Sequence, residues 1–217
     1  MEFVDERIAM LEREYRRQKR EEAKAEEERL HGAEEENIVP EITLEEMLEA
    51  VREGSVTLPN GKTHVFETRI YFEDRIPMVL IRNFYTGVKE DTGVAIFVNH
   101  DQNASQILTV SDKKLENVSI GKWKKQLVNS MKMSGTYAQV IKEIVLENLD
   151  YLIYRTPTGK GWTYNLIFRI RYGSNRVVGN YNCFEKDKDT YGLLLEALVL
   201  RLNELLSEPL REAEKGE

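Results

Sequence analysis

The chain has 217 residues, a single cysteine and a net charge of −7; that length holds one sizeable core with an appendage rather than two full domains. Hydrophobic residues make up 41% and charged residues 32%, and no run approaches the roughly 18 apolar residues that span a bilayer. One cysteine excludes an internal disulfide and any cysteine-cluster metal site.

The charge is unevenly placed. Residues 1–36 carry 13 acidic and 8 basic side chains and residues 207–217 carry 4 and 2, which leaves 37–206 neutral. A neutral body between acidic ends argues against nucleic acid, whose binding rests on phosphate neutralisation. It also offers no basic surface to anionic lipid. The N-terminus, MEFVDERIAMLEREYRRQKREEAK, lacks the apolar core of a signal peptide, so a cytoplasmic protein without membrane insertion is expected.

Residues 2–30 read as a charged helix in which Val4, Ile8, Leu11 and Tyr15 follow coiled-coil spacing for about two heptads before the seam stops. Phe3, Val4, Ile8, Leu11 and Tyr15 would make any partner contact from this arm, taken as 1–36. Residues 31–40 look like a linker, and 37–54 hold a docking helix. Thr43 and Glu46 form a capping box there, Ile42 and Met47 a staple, and Gly54 the stop. A sandwich body is expected over 55–210 and a flexible tail over 211–217.

Strand signals follow at 64–72, 78–85 and 94–100; the second and third are apolar on both faces, which suits central strands of a covered sheet. Ser119 caps a predicted helix over 120–134 with the stripe Ile120, Trp123, Leu127 and Met131, and Gly135 ends it. Residues 137–147 and 149–155 form a hairpin about Asn148, and Pro157-Thr158-Gly159 makes the next turn. Asp189 or Thr190 is the expected cap of a last helix whose broad face holds Tyr191, Leu194, Leu195, Leu198, Leu202, Leu205 and Leu206. Strands in runs rather than alternation predict an α+β fold. A mainly antiparallel sheet of about six or seven strands is covered by helices as an α/β/α sandwich, with a charged N-terminal helical arm.

The ribbon WTYNLIFRIRYGSNRVVGNYNC, residues 162–183, decides which side chains are core. Trp162, Tyr164, Leu166, Phe168, Ile170 and Tyr172 share one face. A three-residue loop at 173–175 would set Asn180 and Asn182 into that aromatic layer, each amide costing about 1–3 kcal/mol if unpaired. A two-residue Gly173-Ser174 turn keeps Val177, Gly179, Tyr181 and Cys183 with the aromatics but sets Arg171 against Arg176. A four-residue loop, 173–176, keeps the same parity without the clash and is the expected register. Asn165, Arg169, Arg171, Asn180 and Asn182 then line the opposite, solvated face, where amides and guanidinium groups can recognise peptide or carboxylate.

No phosphate-cradling glycine loop or serine elbow is present, and His31, His64 and His100 lack metal-ligand spacing. His100-Asp101 reads as turn chemistry, Glu143 and Glu147 as a strand face, and Cys183 as a buried thiol rather than a nucleophile for His100. No cofactor or metal is implied.

The order of elements in VIKEIVLENLDYLIYRTPTGKGWTYNLIFRIRYGSNRVVGNYNCFEKDKDTYGLLLEALVLRLNEL, a strand meander closed by a helix, resembles the PsbP/DcrB-like small α/β/α sandwich proteins. The resemblance rests on order and periodicity and carries over no site residue. It implies binding or assembly rather than catalysis, since that group includes lipoproteins, photosystem subunits and cytoplasmic chaperones of secreted effectors. The expected function is a non-catalytic cytoplasmic protein-binding module, a chaperone or adaptor for a secreted or membrane-associated protein partner. An immunity or antitoxin protein and an unrecognised enzyme are the alternatives.

Overall fold

The computed structural model describes residues 42–58, 61–73, 75–111, 118–171 and 177–208. The arm residues Phe3, Val4, Ile8, Leu11 and Tyr15, the linker 31–40, Tyr172, the loop 173–176 and the tail lie outside these.

Helix α1, Leu44–Glu53, starts on the expected capping box: Glu46 N–H donates to Thr43 Oγ1 at 3.2 Å, and Thr43 N–H donates to Glu46 Oε2 at 2.8 Å. Gly54 ends it in the left-handed region, φ 92°. Met47 and Val51 are buried, and Arg52 reaches Glu204 of the last helix with Nε–Oε2 at 3.2 Å. Strands β1 (Ser55–Thr57), β2 (Thr63–Tyr71) and β3 (Ile76–Ile81) form a small antiparallel sheet in that order.

Strands β4 (Gly87–Asp91), β5 (Val94–Asn99), β6 (Ala104–Val110), β7 (Gln139–Val145), β8 (Leu149–Thr158), β9 (Gly161–Ile170) and β10 (Val177–Phe184) build the main sheet. Its order is β4-β5-β6-β10-β9-β8-β7, and every pairing is antiparallel. Two meanders, β4–β6 and β7–β10, thus join side by side at β6 and β10. Helix α2, Ile120–Met133, connects them from its Ser119 cap, and helix α3, Leu193–Ser207, closes the chain.

Six strands precede α2 where three were expected. Strand β4 carries no strand signal in the sequence because its VKED stretch has no apolar face. Strand β6 was missed because buried Gln106 interrupts its inner face; Gln106 Nε2 donates to Val79 O of β3 at 3.1 Å. All six residues of β3 are buried, yet it is an edge strand of the small sheet rather than a central one. Burial comes from its position against α3 and the main sheet. Neither Asp189 nor Thr190 caps α3 with its side chain. A 3-10 turn, Glu185–Asp187, and a π turn, Lys188–Gly192, feed the helix directly, so its first amides already have backbone partners.

The inner face of the main sheet carries the core. Tyr164, Leu166, Phe168, Ile170, Val177, Tyr181 and Cys183 are buried with Ala95, Phe97, Leu108, Tyr151 and Ile153 under α3 and the small sheet. Helix α3 contributes Leu194, Leu195, Leu198, Leu202 and Leu206, and its buried Glu196 accepts a 2.6 Å hydrogen bond from Tyr151 Oη. Lys142 Nζ of β7 pairs with the same carboxylate. Helix α2 lies on the opposite, outer face, chiefly along β7. Its stripe is only half-buried, so this cover is partial.

The parity of β9 and β10 is as expected, but the register is shifted by two residues. Gly179 faces Phe168 and Val178 faces Arg169, the pairing a two-residue loop would set rather than one of four. The physical reason is a fit. A Cβ at position 179 would lie 1.9 Å from Phe168 Cζ, so the ring occupies the space over a bare glycine. Tyr181 then meets Phe168 edge-on, with centroids 5.1 Å apart.

Candidate functional site

The outer face is a grid of cross-strand rows. Val94, Thr109, Val178, Arg169 and Asp150 form one row across β5, β6, β10, β9 and β8. Ile96, Ile107, Asn180, Ile167 and Leu152 form the next, and Val98, Ser105, Asn182, Asn165 and Tyr154 the third. Antiparallel pairing places the side chains of each row in contact distance.

The β8–β9 end of this grid is not solvated, which corrects the expectation for Arg169 and Asn165. Arg169 is buried and donates from Nε and Nη2 to Asp150 Oδ2 at 3.0 and 2.8 Å. The same Nη2 bonds Val118 O at the approach to α2, and the guanidinium lies 4.8 Å from the Trp123 ring centroid. Arg169 is therefore the clasp that holds α2 on the sheet. Asn165 is also buried; its Nδ2 donates to Thr163 Oγ1 at 3.0 Å and to Thr163 O at 3.1 Å. Arg171 is exposed, but it binds Leu146 O and Glu147 O of the β7–β8 turn and lies 3.6 Å from Asp150 Oδ1. These three side chains stitch the sheet together.

Asn180 and Asn182 differ. Both are half-buried on β10, where Asn180 neighbours Ile107 and Ile167 and Asn182 faces Asn165. Asn180 Oδ1 has no hydrogen-bond partner. Around them Val94, Ile96, Val98, Ile107 and Val178 are likewise half-buried. Among the described residues no helix lies over the β5–β6–β10 part of the face. Sequence reasoning missed Ile96 and Ile107 as surface residues, because β6 was unrecognised and β5 looked doubly buried. No local signal marked them, because VAIFVN is apolar at five successive positions while its burial alternates residue by residue.

Reactive groups are elsewhere. Cys183 is fully buried on the inner face, and burial first, then Asp187 and Glu185, pushes its thiol far above the ordinary range. His100 is exposed in the turn after β5. His64 is buried with its ring edge-on to Phe84, centroids 5.4 Å apart, and its pKa is lowered by burial and by Lys62. It sits in a shallow cleft of about 460 Å³ with Lys62, Arg82, Asn83 and Phe84, a feature the sequence reading did not find. Among the described residues no group of three or more His, Cys, Asp or Glu is placed to hold a metal ion.

No family model and no curated protein matches the chain. Solved structures do. The cyanobacterial PsbP protein CyanoP from Synechocystis sp. PCC 6803 aligns over 62% of this chain and 89% of its own, with 15% identity and a TM-score of 0.50. The fold is PsbP-like. A protein of unknown function from Pseudomonas aeruginosa, PA94, aligns over 68% of this chain and 99% of its own, with 8% identity and a TM-score of 0.41. The expected resemblance thus holds at the level of fold, and a PsbP-like fold does not by itself assign an activity.

Proposed function

We propose that the chain is a non-catalytic, cytoplasmic protein-binding module, a chaperone or adaptor for a secreted or membrane-associated partner. The contact surface is the outer face of β5, β6 and β10, over which no helix of the described residues lies. The observation that supports this is the row Ile96–Ile107–Asn180–Ile167, where half-buried branched apolar side chains flank the side chain of Asn180. Such a surface gives a partner apolar area to cover, as the core of an interface requires. The enclosure of Cys183 supports a non-catalytic reading, since a thiol without access cannot act as a nucleophile.

The test is affinity purification of the full chain from its native cells, with mass spectrometry, beside Ile107→Asp and Asn180→Ala. A partner retained by the parent and lost from Ile107→Asp, with the melting temperature unchanged, is the expected result. Retention of every partner by both variants would sink the assignment of this face, and turnover of a small molecule by the chain would sink the non-catalytic reading.

A further inference from the structure

Helix α2, IGKWKKQLVNSMKM, contains four lysines and no acidic residue in a chain whose net charge is −7. The neutral total for the body therefore conceals a local concentration of positive charge. Lys125 and Lys132 are exposed on the helix. Four of the large apolar side chains that stand out from the described surface lie within the same stretch of chain. Met133 is 88% exposed, Tyr137 54%, Ile141 49% and Val145 56%. The helix runs along β7, and Lys124 Nζ meets Glu143 Oε1 at 3.3 Å, so the lysines and apolar side chains share one corner of the molecule with the exposed carboxylates of Glu143 and Glu147, and Lys125 and Lys132 are the exposed cations of the helix that lie beyond that pair. Tyr137 is held edge-on against Trp162, with centroids 6.0 Å apart.

We infer that this corner, the exposed side of α2 with the β7 edge, is a peripheral docking surface for an anionic lipid bilayer. Lysines meet headgroup phosphates while Met133, Tyr137, Ile141 and Val145 enter the interface, the division of labour of amphipathic surface binders. The shape of β7 favours a bilayer over a partner strand. Its pairing breaks at a bulge between Val140 and Lys142, and Lys142 points to the inner face, two features that spoil a sheet edge as a template. The inference stands apart from the protein-binding face on β5, β6 and β10.

Cosedimentation of the full chain with phosphatidylcholine vesicles, and with vesicles of phosphatidylcholine and phosphatidylserine, tests it. Binding is expected on the serine-containing vesicles alone and is lost at high salt, because the attraction decays within a Debye length. Lys125→Glu with Lys132→Glu is expected to cut partitioning at least about twentyfold. Met133→Ser with Ile141→Ser weakens it while the salt dependence remains. All four positions are exposed, and melting temperatures identify any variant that unfolds. Ile107→Asp is expected to sediment like the parent, which separates this surface from the proposed protein contact. A chain that stays in the supernatant with anionic vesicles overturns the inference. So does a lysine double variant that binds undiminished, and so does capture by poly-glutamate without capture by vesicles, which points instead to an acidic protein.

Discussion

The two faces of the main sheet solve the same problem with different chemistry. The inner face is closed by apolar fit: Phe168 over Gly179, Tyr181 against Phe168, and the leucines of α3 above them. Among the described residues the outer face is closed at its β7–β9 end, and there by charge, with Arg169 held between Asp150 and Trp123. Apolar fit contributes through area and tolerates no void, whereas a buried ion pair mostly offsets its own desolvation and gives direction to the packing. The inner cover therefore stabilises through area, and the outer cover is a helix held in place by one buried ion pair and a cation–ring contact. Over the rest of the outer face no helix of the described residues lies.

The largest effect is expected from separating the buried pair. Arg169→Met leaves the buried Asp150 carboxylate without its hydrogen-bonded cation and with only Arg171 at 3.6 Å, and should cost about 3–5 kcal/mol, whereas Arg169→Met with Asp150→Leu should recover most of that loss. Urea unfolding of the single and double variants measures both. In a Trp162→Phe background the single variant should also red-shift Trp123 emission as α2 loosens. An Arg169→Met variant as stable as the parent would mean that α2 is not clasped by charge.

A smaller loss tests the apolar side. Gly179→Ala places a methyl group inside the Phe168 ring, and the ring must move. The expected cost is about 1–3 kcal/mol, partly relieved by adding Phe168→Leu, which makes room at the expense of some burial. Thermal melts of the two variants read this directly. If Gly179→Ala melts with the parent, some other contact sets the register of β9 and β10.

That register shows where local sequence stops being informative. The capping box at Thr43, the Ser119 cap, the hairpin about Asn148 and the apolar stripe of α3 are written in neighbouring residues, and each forms as expected. Parity in the β9–β10 ribbon was legible because an odd loop would have buried two amides. The further shift of two residues was not, because both registers keep the same parity. The choice between them depends on the shape of one ring over one glycine. Arg169 looked solvated because its partner, Asp150, is on another strand, and the pairing of β8 with β9 is needed to bring the two together. Gln106 hid β6 in the same way, since its hydrogen bond to Val79 O joins residues from two different sheets. In the candidate site Asn180 and Asn182 were placed on the correct face. Ile96 and Ile107, which give that face its apolar character, needed the pairing of β5 with β6 to be seen.

The smallest effect concerns the inner cover where it is most polar. His64 is buried on β2 beside Phe84 and Tyr191, and burial and Lys62 hold its pKa below the ordinary 6.5. The native state therefore resists a proton that the unfolded chain accepts. At neutral pH both forms are unprotonated and His64 adds no pH dependence. As pH falls through 6.5 the unfolded state takes up the proton first, and stability declines until the depressed native pKa is reached. Urea midpoints from pH 7.5 down to about pH 5 should thus fall more steeply for the parent than for His64→Phe, which keeps a ring against Phe84 without a titrating nitrogen. Parallel midpoint curves for the two proteins would mean that His64 accepts its proton as readily folded as unfolded. The polar edge of the small sheet would then be open to water rather than part of the apolar closure that distinguishes the inner face from the outer.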